Sequence, residues 1–81
     1  MRVRLLYFAA LKDLAGIAEE WVELEGAASV ADVTLRLTEL RPAFSGKLGS
    51  VRVAVNETFA APGDPVGEGD TLALIPPVSG G

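Results

Sequence analysis

The residues able to do chemistry in this chain are few, and most lack the partner that chemistry needs. There is no histidine and no cysteine. The usual general base, the commonest metal ligand, the thiolate nucleophile and the disulfide are therefore all missing. The serines have no histidine to form a catalytic pair with. Glu19, Glu20, Glu23 and Glu25 string carboxylates along a strand-like run, but nothing nearby completes a cation cage, and the run reads as a solvated edge. Glu68 and Asp70 read as turn chemistry. Gly63, Gly67 and Gly69 lie ahead of an apolar run rather than at the start of a helix, the wrong context for a phosphate-binding loop. No metal site and no catalytic set is expected inside the chain. What remains is the ending, Pro76-Pro77-Val78-Ser79-Gly80-Gly81. The prolines remove backbone donors and favour a stiff, extended form. The glycines carry no side chain, so the reactive group on offer is the carboxylate of Gly81. Fully extended, such an arm reaches about 20 Å. Chain ends also fray for no functional reason, and that reading stands beside the reactive one.

The elements that must hold this arm follow from periodicity. Arg2 to Ala9 reads as a strand with Val3, Leu5 and Tyr7 on one face and Arg2, Arg4, Leu6 and Phe8 on the other. Leu6 and Phe8 are apolar on a face that begins polar. Either that end of the strand is buried on both sides, or the face carries a patch for a partner. Ala10 to Ala15 forms a short helical turn closed by Gly16. Glu19 to Glu25 is a second strand, with Val22 and Leu24 inward and Trp21 outward. Ser29 opens the main helix, with Asp32 placed for a capping box. Val30, Val33, Leu37 and Leu40 make its apolar stripe, and Pro42 stops it. Residues 44–50 are a connection with Phe44 and Leu48 tucked under the core. Val51 to Val55 is a strand, Asn56-Glu57 a turn, and Thr58 to Ala60 a brief strand. Ala61 to Asp70 reads as a loop anchored by Val66, and Thr71 to Ile75 as the last strand, with Ala73 and Ile75 outward.

One helix with one apolar stripe covers one face of one sheet. The first two strands pair as a hairpin, and the helix supplies the crossover that a parallel neighbour of the first strand needs. The expected fold is α+β: a β-grasp, with a mixed sheet packed on one main helix. The domain spans residues 1–75, and residues 76–81 form a flexible C-terminal tail. The other sheet face is left uncovered, and Phe8, Phe59 and Ile75 are expected there as a partner-binding patch near the root of the tail.

Composition narrows the partners. The chain has 81 residues and a net charge of −4, enough for one domain and unsuited to nucleic acid, which needs a basic face. An acidic body suits a basic partner surface. The opening apolar stretch is too short for a signal peptide, and no segment is long enough to span a membrane. The expected compartment is the cytoplasm.

Leu6-Tyr7-Phe8-Ala9 with Leu14-Ala15-Gly16, Ser29-Val30, Val53-Ala54-Val55-Asn56, and the run from Gly69 to Gly81 together resemble the ubiquitin-like sulfur carriers. Within them the chain is most similar to the small subunits of molybdopterin synthase. The resemblance covers nearly the whole chain, and the Pro-Pro-Val-Ser-Gly-Gly ending is its most specific part. It implies a sulfur-donor subunit with no catalytic side chains and no stably bound cofactor. A ubiquitin-activating-type adenylyltransferase would use ATP to adenylate Gly81, and a sulfur donor would turn the acyl adenylate into a thiocarboxylate. Pro76, Pro77, Val78, Ser79 and Gly80 would deliver it into the large subunit of molybdopterin synthase, in a heterotetramer. There it would give sulfur to cyclic pyranopterin monophosphate in molybdenum cofactor biosynthesis. Thiamine thiazole formation, tRNA thiolation, covalent protein modification and a plain binding module are the alternatives.

Overall fold

The computed structural model describes residues 1–77. The elements in chain order are β1 (Arg2–Tyr7), α1 (Ala9–Ala15), β2 (Glu19–Glu23), β3 (Ala28–Ser29), α2 (Val30–Leu40), a 3₁₀ turn (Pro42–Phe44), β4 (Arg52–Val55), β5 (Thr58–Ala60), β6 (Pro65–Val66) and β7 (Thr71–Ile75). Five strands form one sheet in the order β2-β1-β7-β4-β5, and β3 pairs with β6 in a separate ribbon. The fold is the expected α+β β-grasp. β1 and β2 are an antiparallel hairpin, β1 and β7 are parallel, and β4 runs antiparallel to β7. The parallel neighbour of the first strand is thus the last one, which occupies the centre of the sheet.

α2 forms where its sequence says it should, and each amide of its first turn has an acceptor. Ser29 and Asp32 make the capping box: Asp32 Oδ2 accepts from Ser29 N at 2.8 Å, and Ser29 Oγ accepts from Asp32 N at 3.2 Å. Val30 N donates to Asp64 O and Ala31 N to Pro62 O, both at 2.9 Å. These bonds complete the helix terminus with carbonyls from a distant loop. They also place β6 against β3, a pairing that the loop reading of residues 61–70 did not include. Val66 is buried beneath it, as expected.

Two further differences have local causes. β1 ends at Tyr7 rather than Ala9, because Ala9 turns into α1 at φ 49°. Gly16 closes α1 at φ 76°, with its amide on Lys12 O. Residues 42–44 wind into a 3₁₀ turn that drives Phe44 to zero exposure. Its ring meets Tyr7 edge-on, with centroids 5.2 Å apart, a favoured aromatic geometry. The core lies between α2 and one sheet face, where Val3, Leu5, Val33, Leu37, Leu72 and Leu74 are fully buried. The other sheet face has no element packed over it among the described residues.

Replacing Ser29 with alanine removes one half of the capping box. The expected loss is about 1 kcal/mol of unfolding free energy, read from the urea midpoint at unchanged slope.

Candidate functional site

Alternation in β1, β7 and β4 sends Leu6, Ala73 and Ala54 to the open face while their neighbours fill the core. Register lines them up. Leu6 pairs with Ala73, Ala73 with Ala54, and Ala54 with Phe59, with Glu19 at the far side of Leu6. The small side chains of Ala54 and Ala73 leave a shallow hollow of about 430 Å³, bordered also by Arg4, Asn56, Glu57 and Thr71. Arginines rise around this apolar strip, each held by a neighbour. Arg2 lies over the Trp21 ring at 4.4 Å and Arg52 over the Phe59 ring at 3.9 Å, while Arg4 is paired with Glu19. Stacked guanidinium groups cover ring faces while keeping their charge at the surface.

Phe8, Phe59 and Ile75 all lie on this open side. Phe8 is 45% exposed and Phe59 54% exposed, and Ile75 is half-buried. They do not form one continuous cluster. Ile75 pairs with Arg52, whose side chain is folded over Phe59, so an arginine stands between the two. Leu6 is half-buried and Phe8 exposed, so the strand end is not buried on both sides. Pro76 is half-buried and Pro77 exposed. Val78, Ser79, Gly80 and Gly81 lie outside the described residues.

The carboxylates sort into structural roles. Asp70 accepts from Gly67 N at 2.7 Å and from the Asn56 amide at 3.0 Å. These bonds, the Gly67 one foremost, hold its carboxyl below the usual range. Asn56 in turn accepts from Thr71 N at 3.0 Å. Glu68 accepts from Arg2 N at 3.1 Å. Turn chemistry describes Asp70, whereas Glu68 ties its loop to the distant backbone of β1. Among the described residues, no group of three or more acidic side chains is arranged to hold a metal ion.

Glu20 departs from expectation. It is not part of a solvated edge. It is in phase with Val22, on the helix side of β2, and there it accepts two hydrogen bonds from Arg41, from Nε at 2.6 Å and Nη2 at 2.8 Å. The Tyr7 hydroxyl donates to the same carboxylate, and Arg41 Nη1 reaches Ala15 O at 3.3 Å. The Arg41 bonds hold Glu20 below the ordinary carboxylate range, against the opposing effect of burial. Burial first, then the Glu20 carboxylate, pushes the Tyr7 phenol up. This cluster ties together the ends of β1, α1 and α2. Tyr7 pairs with Leu74 on the last strand, so the brace sits beside the root of the tail. The signal was present in the sequence: Glu20 alternates with Val22, and Arg41 falls four residues after Leu37 on the apolar stripe.

The ThiS family model matches residues 5–81. The chain belongs to the ThiS family. Among its relatives, the molybdopterin synthase sulfur carrier subunit of Chlamydomonas reinhardtii is 32% identical over the whole of both chains. Small archaeal modifier protein 1 of Haloferax volcanii is 35% identical, over 91% of this chain and 94% of that one. The crystal structure of SAMP1 from Haloferax volcanii superposes with a TM-score of 0.90 and 32% identity, covering 100% of each chain. The similarity to small subunits of molybdopterin synthase, read from the sequence, therefore stands. The ThiS-family match includes Gly81, while the Glu20–Arg41 brace lies within the body of the domain.

Two variants test the brace. Arg41→Ala leaves Glu20 and Tyr7 without their cation and is expected to cost about 2 kcal/mol. Glu20 has a folded pKa below its unfolded one. Its contribution is therefore complete above the ordinary 4.5 and is lost as pH falls through the lower folded value. Glu20→Gln should make stability less steeply dependent on pH in that acid window. An acid limb unchanged from the parent protein contradicts the assignment.

Proposed function

We propose that this chain is the sulfur-carrier subunit of a molybdopterin synthase, acting in the cytoplasm through the carboxylate of Gly81. The observation that carries this reading is the match over the whole of both chains to a molybdopterin synthase sulfur carrier subunit, in which Gly81 is included. The body supports it by offering no alternative: the ionisable side chains of the described residues are engaged in turns, ion pairs and the Tyr7–Glu20–Arg41 brace, or lie dispersed on the surface.

A carboxylate is a poor acyl donor until it carries a leaving group. An adenylyltransferase partner supplies one: a Gly81 oxygen attacks the α-phosphorus of ATP, and pyrophosphate leaves. A sulfur donor at the sulfide level then displaces AMP, forming the carbon–sulfur bond of a thiocarboxylate. In the large subunit this sulfur bonds to a carbon of cyclic pyranopterin monophosphate, displacing an oxygen substituent. Water then cleaves the Gly81 acyl–sulfur bond, which leaves the sulfur on the pterin and returns Gly81 to a carboxylate. The chain's own contribution is delivery. Gly80 and Gly81 lack a Cβ and suit a narrow active site. Pro76 and Pro77 restrict the backbone and lower the ordering cost of insertion. The open face with Phe8, Phe59 and Ile75 is the docking surface, and it leads directly to the tail because β7 lies at the sheet centre.

A second reading, covalent attachment of Gly81 to other proteins, is favoured by the name of the Haloferax relative. The two readings diverge after the adenylate. With a cognate adenylyltransferase, ATP and sulfide, intact-mass measurement should show one terminal oxygen replaced by sulfur. Denaturation-resistant conjugates without that replacement would favour the modifier reading instead. Adding one residue after Gly81 should abolish the mass change while leaving the unfolding transition unaltered. Continued sulfur uptake by the extended chain contradicts the role of the Gly81 carboxylate.

A further inference from the structure

β2 is an edge strand, and its hydrogen-bonding phase is fixed by its neighbours. Leu24 N donates to Met1 O at 2.7 Å and Tyr7 N to Ala18 O at 2.8 Å. The register between them pairs Val3 with Val22 and Leu5 with Glu20. Residues 18, 20, 22 and 24 therefore turn their backbone groups towards β1. Glu19, Trp21 and Glu23 turn theirs outward, and no backbone partner meets them among the described residues.

A groove runs along this edge between β2 and α2. It comprises two adjoining hollows of about 430 and 550 Å³, both bordered by Glu23 and Arg36. Leu40, 48% exposed, lies in the first hollow with Val22. Trp21 is 49% exposed on the outer side. The charges do not cancel along it. Glu19 is paired with Arg4, Glu20 with Arg41 and Glu39 with Arg36. Glu23 and Glu25 make no ion pair among the described residues, so two carboxylates border the end of the groove, beside the Met1 ammonium that donates to Leu24 O.

We propose that this edge accepts an added β-strand from a partner protein: an extended segment alternating aliphatic and basic residues. Its backbone would pair with Glu19, Trp21 and Glu23. Its aliphatic side chains would face Leu40, and its basic ones would face Glu23. A second copy of this chain fits poorly. Antiparallel pairing of two β2 edges about Trp21 sets Glu19 opposite Glu23 on both sides, and like charges directly opposite are destabilising. The inference is independent of the sulfur chemistry, because it concerns a strand separated from β7 by β1.

The probe is a Lys-Val-Lys-Ile-Lys-Val peptide, with Glu-Val-Glu-Ile-Glu-Val as its control. Binding is followed through Trp21, the one tryptophan of the chain, and through amide exchange. The basic peptide should slow exchange at Glu19, Trp21 and Glu23 and leave the β1-bonded amides of Glu20 and Val22 unchanged. The double variant Glu23→Lys, Glu25→Lys alters two exposed side chains and should weaken binding about tenfold. Equal binding of the acidic peptide, binding of neither, or a response centred on Leu6, Ala54 and Phe59 would overturn the proposal. So would a dimer in sedimentation that protects the same edge amides.

Discussion

The pairing of β7 with β1 on one side and β4 on the other is the constraint on which the rest of the molecule depends. Leu72 and Leu74 are fully buried against the helix side, while Ala73 sits between Leu6 and Ala54 on the open side. Either ladder alone would leave a strand edge and part of the core unsatisfied. The strand that completes the sheet is also the one that leads into Pro76 and the residues beyond. The root of the tail is consequently set by two hydrogen-bonded neighbours, with Phe8 near it on one side and Arg52 on the other. A sheet closed by its last strand also makes the native contacts mostly non-local, which links the placement of the tail to completion of the whole fold.

Two polar arrangements hold the helix layer to this sheet. At the start of α2, the capping box and the carbonyls of Pro62 and Asp64 satisfy the free amides. At its end, Arg41 reaches across to Glu20 and Ala15. The helix is therefore fixed at both termini by groups distant in sequence, and apolar packing fills the space between. The open face follows a different rule. Its small residues produce a hollow, and its arginines lie against aromatic rings or an acid. It thus combines apolar area with positive charge at the surface of a chain whose net charge is −4.

Much of this was legible from periodicity. The strand alternation in residues 2–7 and 71–75, the Ser29 cap, the Pro42 stop and the Asn56-Glu57 turn are local signals, and each formed where it was expected, the turn with Glu57 in the left-handed region at φ 72°. Less legible was whatever depended on distant partners. Pro65–Val66 looked like loop because its pairing with Ala28–Ser29 rests on helix amides seeking carbonyls. Glu20 looked solvated because it sits in an acidic run, and the Arg41 guanidinium together with the Tyr7 hydroxyl makes partial burial of its carboxylate tolerable. Arg52 gave no sign that it would fold over Phe59, since a cross-strand stack depends on register. The candidate site was legible as a set of outward residues. Its interruption by an arginine was not.

The central claim is that Gly81 carries the sulfur. It is tested most directly with a chain whose Gly81 thiocarboxylate bears a heavy sulfur isotope, mixed with a molybdopterin synthase large subunit and cyclic pyranopterin monophosphate in a single turnover. The account predicts heavy sulfur in the dithiolene product and recovery of the chain as its ordinary carboxylate. Product formed without the label, or a labelled thiocarboxylate left unconsumed by an active large subunit, would contradict it.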